Sequence, residues 1–262
     1  MDLTRWTIDP RARDALALEA AREALADGDP SAALGIAEEL LDTDPDEIGA
    51  LMVVAQAAPR CGHAAVGILA AEQARRRGVD TGAIEAEALF AAGRVPEAMI
   101  IAESRVHRAP HDAQAHVVLG QALDMMGDRS RADLAYASAA QLDPDGCPPP
   151  LGIAPDEWDA LLLEVLSQLD HDDRSAARVL DVCFEDLPDL EDLRAAAAPY
   201  PAWPPGVDGL LLPDTKPPRL LFYRRNLSRC ARTTADLVER MRLVMEAELR
   251  ALNEEMATPR GP

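Results

Sequence analysis

Aromatic residues are scarce, at 3% of a chain of 262 residues. A core without them must be assembled from Ala, Leu, Val and Met, which suits close-packed helices better than a β-sandwich. Lysine is nearly missing: Lys216 is the sole one, and every other fixed cation is an arginine. Cysteines stand at positions 61, 147, 183 and 230, too far apart in sequence for a CxxC zinc or redox motif. No apolar run reaches the roughly 18 residues that a membrane helix needs. The N-terminal stretch MDLTRWTIDPRARDALALEA has neither an apolar signal segment nor a small-residue cleavage site. These absences predict a soluble cytoplasmic protein with reduced thiols. The sequence also lacks a P-loop, a Rossmann glycine fingerprint and a Gly-x-Ser-x-Gly elbow.

What is present is a large apolar fraction, 48%, enough for a sizeable core. The formal net charge is -20. Such a surface repels nucleic acid and anionic membranes, and its electrostatic complement is a basic partner surface.

Four glycines punctuate the first half: Gly28, Gly62, Gly93 and Gly127, at spacings of 34, 31 and 34. Each sits between two Ala-rich helical patterns, in ADGDPSAA, PRCGHAA, AAGRVPEA and MMGDRSRA. Seventeen residues after three of them comes a proline, Pro45, Pro110 or Pro144; the second unit has Val79 there. Glycine takes turn geometry that other residues resist, and proline ends the second helix of each pair. The spacing predicts a repeated helix–turn–helix over residues 14–146.

This pattern resembles the tetratricopeptide repeat. The fourth unit carries it best, with Leu119-Gly120 at the close-packing pair of the first helix, Ala132 at the small position of the second, then Tyr136, Ala139 and Pro144. Ala21, Ala55 and Ala86 replace that glycine in units one to three. The resemblance implies an α-helical solenoid of about four repeats whose first helices face a protein ligand. The ligand-reading positions it implies are Arg22, Gln56, Arg60, Glu87, Gln121 and Asp124. Their mixed charge argues against a strictly anion-clamping groove and for a helix or extended tail with some basic residues.

Asp143-Pro144-Asp145-Gly146-Cys147-Pro148-Pro149-Pro150 cannot continue a helix. It places a boundary near 147, between a repeat domain at 1–146 and a second domain at 147–262, with a linker over 147–154 and a tail over 257–262. In the second domain, Trp158, Leu161, Leu162, Val165 and Leu169 share one helix face. Strand candidates follow at Val179–Phe184, Leu210–Leu212 and Arg219–Tyr223. A long helix is expected from Thr233 to about Asn253, striped by Leu237, Met241, Val244, Met245, Leu249 and Leu252.

This order of elements, with Phe184-Glu185-Asp186-Leu187-Pro188 and Leu220-Leu221-Phe222-Tyr223-Arg224-Arg225-Asn226-Leu227, resembles the small bacterial zincin-like metallopeptidase family. In that family the Phe-Tyr-Arg-Arg-Asn-Leu stretch ends a strand, and the final helix carries His-Glu-x-x-His-x-x-Gly-x-x-Asp. The resemblance implies a small α+β unit over about 153–256. Laid on this chain, the two histidines fall on Met245 and Leu249, the glutamate on Glu246, the glycine on Leu252 and the last acidic ligand on Glu255. The five histidines are at 63, 107, 111, 116 and 171, so none can supply an imidazole to that helix. Catalytic zinc needs three protein ligands, and neither thioether nor isobutyl is a plausible substitute. The expectation is therefore a pseudo-metallopeptidase with no metal, no cofactor and no catalytic residues, serving as a second docking surface. Two alternatives stay open: a regulator of an active metallopeptidase relative, and an atypical metallopeptidase.

One dense basic cluster remains, Arg219, Arg224, Arg225, Arg229 and Arg232, surrounding Cys230. Docking against acidic neighbours, within the chain or on a partner, fits it better than nucleic acid, since aromatics are few and the global charge opposes. The arginines are also expected to lower the Cys230 thiol pKa. The whole chain is thus expected to be a non-enzymatic protein–protein interaction protein.

Overall fold

In the computed structural model the chain divides into two compact units, Met1–Leu142 and Asp143–Pro262. The division falls four residues before the expected boundary, where the proline-rich break begins. The structure describes residues 9–189 and 207–257.

Among its described residues the first unit is all helical: α1 (Pro10–Ala26), α2 (Pro30–Thr43), α3 (Ile48–Arg60), α4 (Ala64–Arg76), α5 (Gly82–Ala91), α6 (Val95–Arg108), α7 (Ala113–Met125) and α8 (Arg129–Leu142). They form four helical hairpins. Each first helix also touches the next first helix, α1 on α3, α3 on α5 and α5 on α7. This is the stacked-hairpin repeat of a TPR-like domain.

The punctuation has a local physical cause. Gly28, Gly62, Gly93 and Gly127 lie at φ of 82°, 87°, 73° and 81°, the left-handed region where a Cβ is costly. The next residue donates its N–H five residues back, as in Asp29 to Ala24 and Asp128 to Leu123, closing each first helix with a Schellman turn. Asp29 then caps the following helix by accepting from Ala32 N at 2.9 Å. Asp44 and Ala109, each before a proline, are extended and end α2 and α6. Where the second repeat lacks that proline, Gly78 at φ 87° ends α4 instead.

Close packing follows from small residues. A methyl on Gly120 would lie 2.8 Å from the Tyr136 ring, and one on Gly67 would lie 2.6 Å from Pro59. Ala21, Ala55, Ala86 and Ala132 are each at most 1% exposed. On the second helices, Leu69, Ile100 and Leu134 stand 64%, 59% and 69% exposed, each seven residues past its turn glycine.

The second unit contains α9 (Glu157–Gln168), α10 (His171–Ala177), β1 (Asp181–Glu185), β2 (Gly209–Leu212), β3 (Arg219–Tyr223), α11 (Arg224–Cys230) and α12 (Thr234–Ala257). Its sheet has the order β1-β3-β2. β1 runs parallel to β3 with Cys183 opposite Leu221, and β2 runs antiparallel with Leu210 opposite Leu221. The pleat sends Leu220 and Phe222 into a core with Trp158, Val165, Met241 and Met245, and Leu221 and Tyr223 to the other face with Val207 and Leu210. Trp158 meets Phe184 at a tilt, with centroids 5.4 Å apart, and Phe184 stacks on Phe222 at 5.8 Å.

Two expectations need correction. The Arg224-Arg225-Asn226-Leu227 stretch is the start of α11 and not the end of a strand. Folding it into a helix buries Leu227 in the core and lets Asn226 Nδ2 donate to the Val207 carbonyl at 2.7 Å. Val179 and Leu180 precede β1 as a turn, so that strand starts two residues later than expected. Helix α10 is an addition to the expected elements. Asp170 caps it by accepting from Asp173 N at 2.8 Å, and Arg174 donates to the carbonyls of Leu166, Ser167 and Leu169 at the end of α9.

Candidate functional site: the inner face of the repeat unit

The first helices line two adjoining cavities. The one between α1 and α3, about 430 Å³, is bounded by Arg22, Leu25, Ala26, Gly49, Met52, Val53, Gln56 and Arg60. The second, about 320 Å³, is bounded on α5 by Ala83, Ile84 and Glu87, on α7 by Gln114, and by Asp80, Arg105 and Asp112 around them. Gln56 and Arg60 border both, so the two cavities are neighbours on the first helices, together called the trough below. Helix α3 presents Gly49, Met52, Val53, Gln56 and Arg60 at helical spacing, one face turned to the trough.

Of the six ligand-reading positions expected from sequence, Arg22, Gln56, Arg60 and Glu87 line this trough. Gln121 is half-buried on α7 and borders neither cavity. Asp124 is a correction: it is only 3% exposed and sits inside the unit. In units two and three the residue three before the turn glycine, Pro59 or Phe90, is buried as Asp124 is, whereas its counterpart in unit one, Leu25, lines the first cavity. Leu25, Met52, Ile84 and Gln114 also line the cavities and were not among the expected positions; they stand at four different distances from their turn glycines, so no single repeat position points to them.

The trough's charges are unevenly satisfied. Arg105 donates to Asp112 at 2.7 Å and also to Asp80, and Arg60 lies 3.6 Å from Glu87. The hydrogen bond with Asp112 raises the Arg105 pKa above its ordinary value. Gln114 Nε2 donates to Glu87 at 3.3 Å. Around the first cavity, Arg22 meets Glu19 at 3.4 Å in an exposed pair.

In the second unit, the positions aligned with a metal motif are core. Met245, Leu249 and Leu252 are 0%, 1% and 8% exposed and pack in the sheet–helix core. Glu246 is bound to Arg242 on its own helix. Glu255 lies on the same helix. Among the described residues no three of His, Cys, Asp and Glu converge as metal ligands would.

Three arginines of the basic cluster are engaged inside their own unit. Arg219 donates to Asp181 at 3.2 Å, Arg224 to Asp186 at 3.5 Å while covering the Phe184 ring, and Arg232 to the Asp145 carbonyl at 2.7 Å. The Arg225 N–H donates to the Asp186 carbonyl at 3.1 Å, and Arg229 lies in α11. The Cys230 thiol pKa is raised and not lowered. Desolvation by the surrounding protein is the main cause, although the residue is exposed, and Asp208 the next, and these outweigh Arg240 and Arg229.

No protein-family model matches this chain, and no curated protein does. Among solved structures, it is similar to a double mutant of MamA RS-1 at 21% identity and a TM-score of 0.40, over 50% of this chain and 75% of that one. It is also similar to TTC0263, a thermophilic TPR protein of Thermus thermophilus, at 19% identity and a TM-score of 0.46, over 63% of this chain and 88% of that one. Among the described residues no helix is long and apolar enough to cross a membrane.

Proposed function

We propose that the repeat unit binds a segment of another protein along the trough of its first helices, and that the chain acts by interaction and not by catalysis. The carrying observation is that two neighbouring cavities on the first helices share Gln56 and Arg60 in their lining. A single extended or helical segment fits such a trough, with Leu25, Met52, Val53 and Ile84 offering apolar contact and the flanking polar groups fixing register.

In this reading the second unit is a non-catalytic docking unit. Supporting it, the side chains at the two histidine positions of the metallopeptidase resemblance, Met245 and Leu249, help hold the sheet to α12. A water-activating zinc needs an open position beside its ligands, which a filled apolar core does not leave.

The test is a selection of random 12-residue peptides on the full chain, followed by affinity measurements on Gln56→Trp. An indole at that shared border obstructs both cavities. The expected result is at least a 10-fold loss of affinity with an unchanged circular dichroism spectrum. Selected peptides that bind Gln56→Trp as tightly as the parent would exclude the trough.

A further inference from the structure

The two halves of the trough differ in charge, and this selects the occupant. The cavity between α1 and α3 has two arginines in its lining, Arg22 and Arg60, and no acidic residue. Beneath them lie Leu25, Met52 and Val53. In the second cavity three carboxylates already hold the cations: Asp80 and Asp112 take Arg105, and Glu87 takes part of Arg60. The exposed Arg22–Glu19 pair, 3.4 Å apart with both side chains more than half exposed, is of the kind worth little and readily exchanged.

The net charge of -20 favours a basic partner over the surface as a whole. At physiological ionic strength charges more than about 8 Å away are largely screened, so the nearest groups decide. These are Arg22 and Arg60, with Glu19 and Glu87 as the carboxylates a ligand would displace, while Glu47 beside Gly49 is held on the Ala50 N–H. An arginine also offers a planar fork that matches a carboxylate, and does so best above an apolar floor that displaces water.

Resting on the inner-face reading above, we infer that the docked segment is acidic and aliphatic. One carboxylate side chain sits between Arg22 and Arg60, and a neighbouring Leu-, Ile- or Val-like side chain packs on Leu25, Met52 and Val53. The segment continues past Gln56 into the second cavity. The carboxylate is assigned to a side chain within the segment, and a chain end in its place is an outcome the test distinguishes. Adjacent helices pack about 8–10 Å apart and an extended chain rises about 3.3 Å per residue, so each repeat spans about three residues of it.

The probes are fluorescent 12-residue peptides with amidated ends carrying a central Glu-Leu, Gln-Leu or Lys-Leu, and a fourth whose sole carboxylate is a free C-terminus. Binding to the full chain is read by anisotropy at 0.15 M salt. The expected order is Glu over Gln over Lys, with the Gln peptide about 10-fold weaker, as for loss of a hydrogen bond between charged groups. Arg22→Glu with Arg60→Glu reverses the order. Glu87→Gln, which frees Arg60, tightens the Glu peptide about 2- to 5-fold, the range of one partly exposed ion pair. A loss of binding in Glu87→Gln, a preference for Lys, or binding confined to the free C-terminus would overturn the inference. Peptides that bind without regard to charge but are lost in Gln56→Trp overturn the acidic assignment and leave the trough standing. Peptides indifferent to Gln56→Trp overturn both.

Discussion

The two units solve the same packing problem with opposite materials. The repeat unit fills its interior with methyl groups: Ala33, Ala37, Ala50, Ala57, Ala58, Ala71 and Ala74 are all at 0% exposure. The second unit gathers Trp158, Phe222, Leu220, Met241 and Met245 around a three-stranded sheet. Small residues let helix backbones approach closely, and they leave little side chain to lose. Large residues concentrate the hydrophobic gain at a few positions. A core of the first kind is therefore sensitive to added volume and a core of the second kind to removed volume.

The contrast can be broken most forcefully in the second unit. Leu249→Ala and Phe222→Ala each empty a fully packed site and are expected to cost about 3–5 kcal/mol, measured by chemical denaturation followed through tryptophan fluorescence, to which the core residue Trp158 contributes. A cost under about 1 kcal/mol would mean that this core is loose. Replacing both Met245 and Leu249 by histidine tests the metal resemblance. Two imidazoles placed among apolar neighbours are expected to destabilise the unit, and added zinc is expected to restore none of the loss. Full recovery of stability on titrating zinc would show that a metal geometry is latent there.

Smaller effects sharpen the other half of the comparison. Gly120→Ala pushes a methyl into the Tyr136 ring and should cost about 1–3 kcal/mol. Gly35→Ala has open space around it inside α2 and should gain about 0.5–1 kcal/mol. If both alanines have the same effect, close approach is not what holds the repeats.

The smallest expected effect is a pH dependence in the second unit. Burial raises the Asp208 pKa, and the pairing with Arg240 only partly opposes it. With the folded pKa above the unfolded one, the native state holds the extra proton. The Asp208 contribution is then full below the unfolded pKa and declines as pH rises through the folded one. Asp208→Asn should flatten this slope in denaturation midpoints collected from pH 4 to 7. A parent slope of the opposite sign would contradict the assignment.

The legible part of the fold was its punctuation. Turn glycines and helix-ending prolines act locally, so Gly28, Gly93, Pro45 and Pro110 mark their turns wherever the chain folds. The strand Arg219–Tyr223 was legible for a similar reason, since Pro217-Pro218 and a compact apolar run set it off. What escaped was set by tertiary context. Arg224–Leu227 was joined to the strand only through the metallopeptidase resemblance, yet burying Leu227 and bonding Asn226 to Val207 favours a helix. At the site, Arg22, Gln56, Arg60 and Glu87 were found through repeat position. Asp124 was misplaced because its charge suggested a surface, although Pro59 and Phe90 occupy the equivalent interior positions. The local positive charge of the first cavity was hidden by the global one.

The central claim is that ligand lies on the first helices and not on the exposed outer row of the second. A photo-crosslinking residue placed in turn at Gln56 and at Ile100 of the full chain, with the tightest selected peptide bound, tests it directly. The account predicts a peptide adduct from position 56 and none from position 100. An adduct from position 100 alone would put the binding surface on Leu69, Ile100 and Leu134 and contradict it.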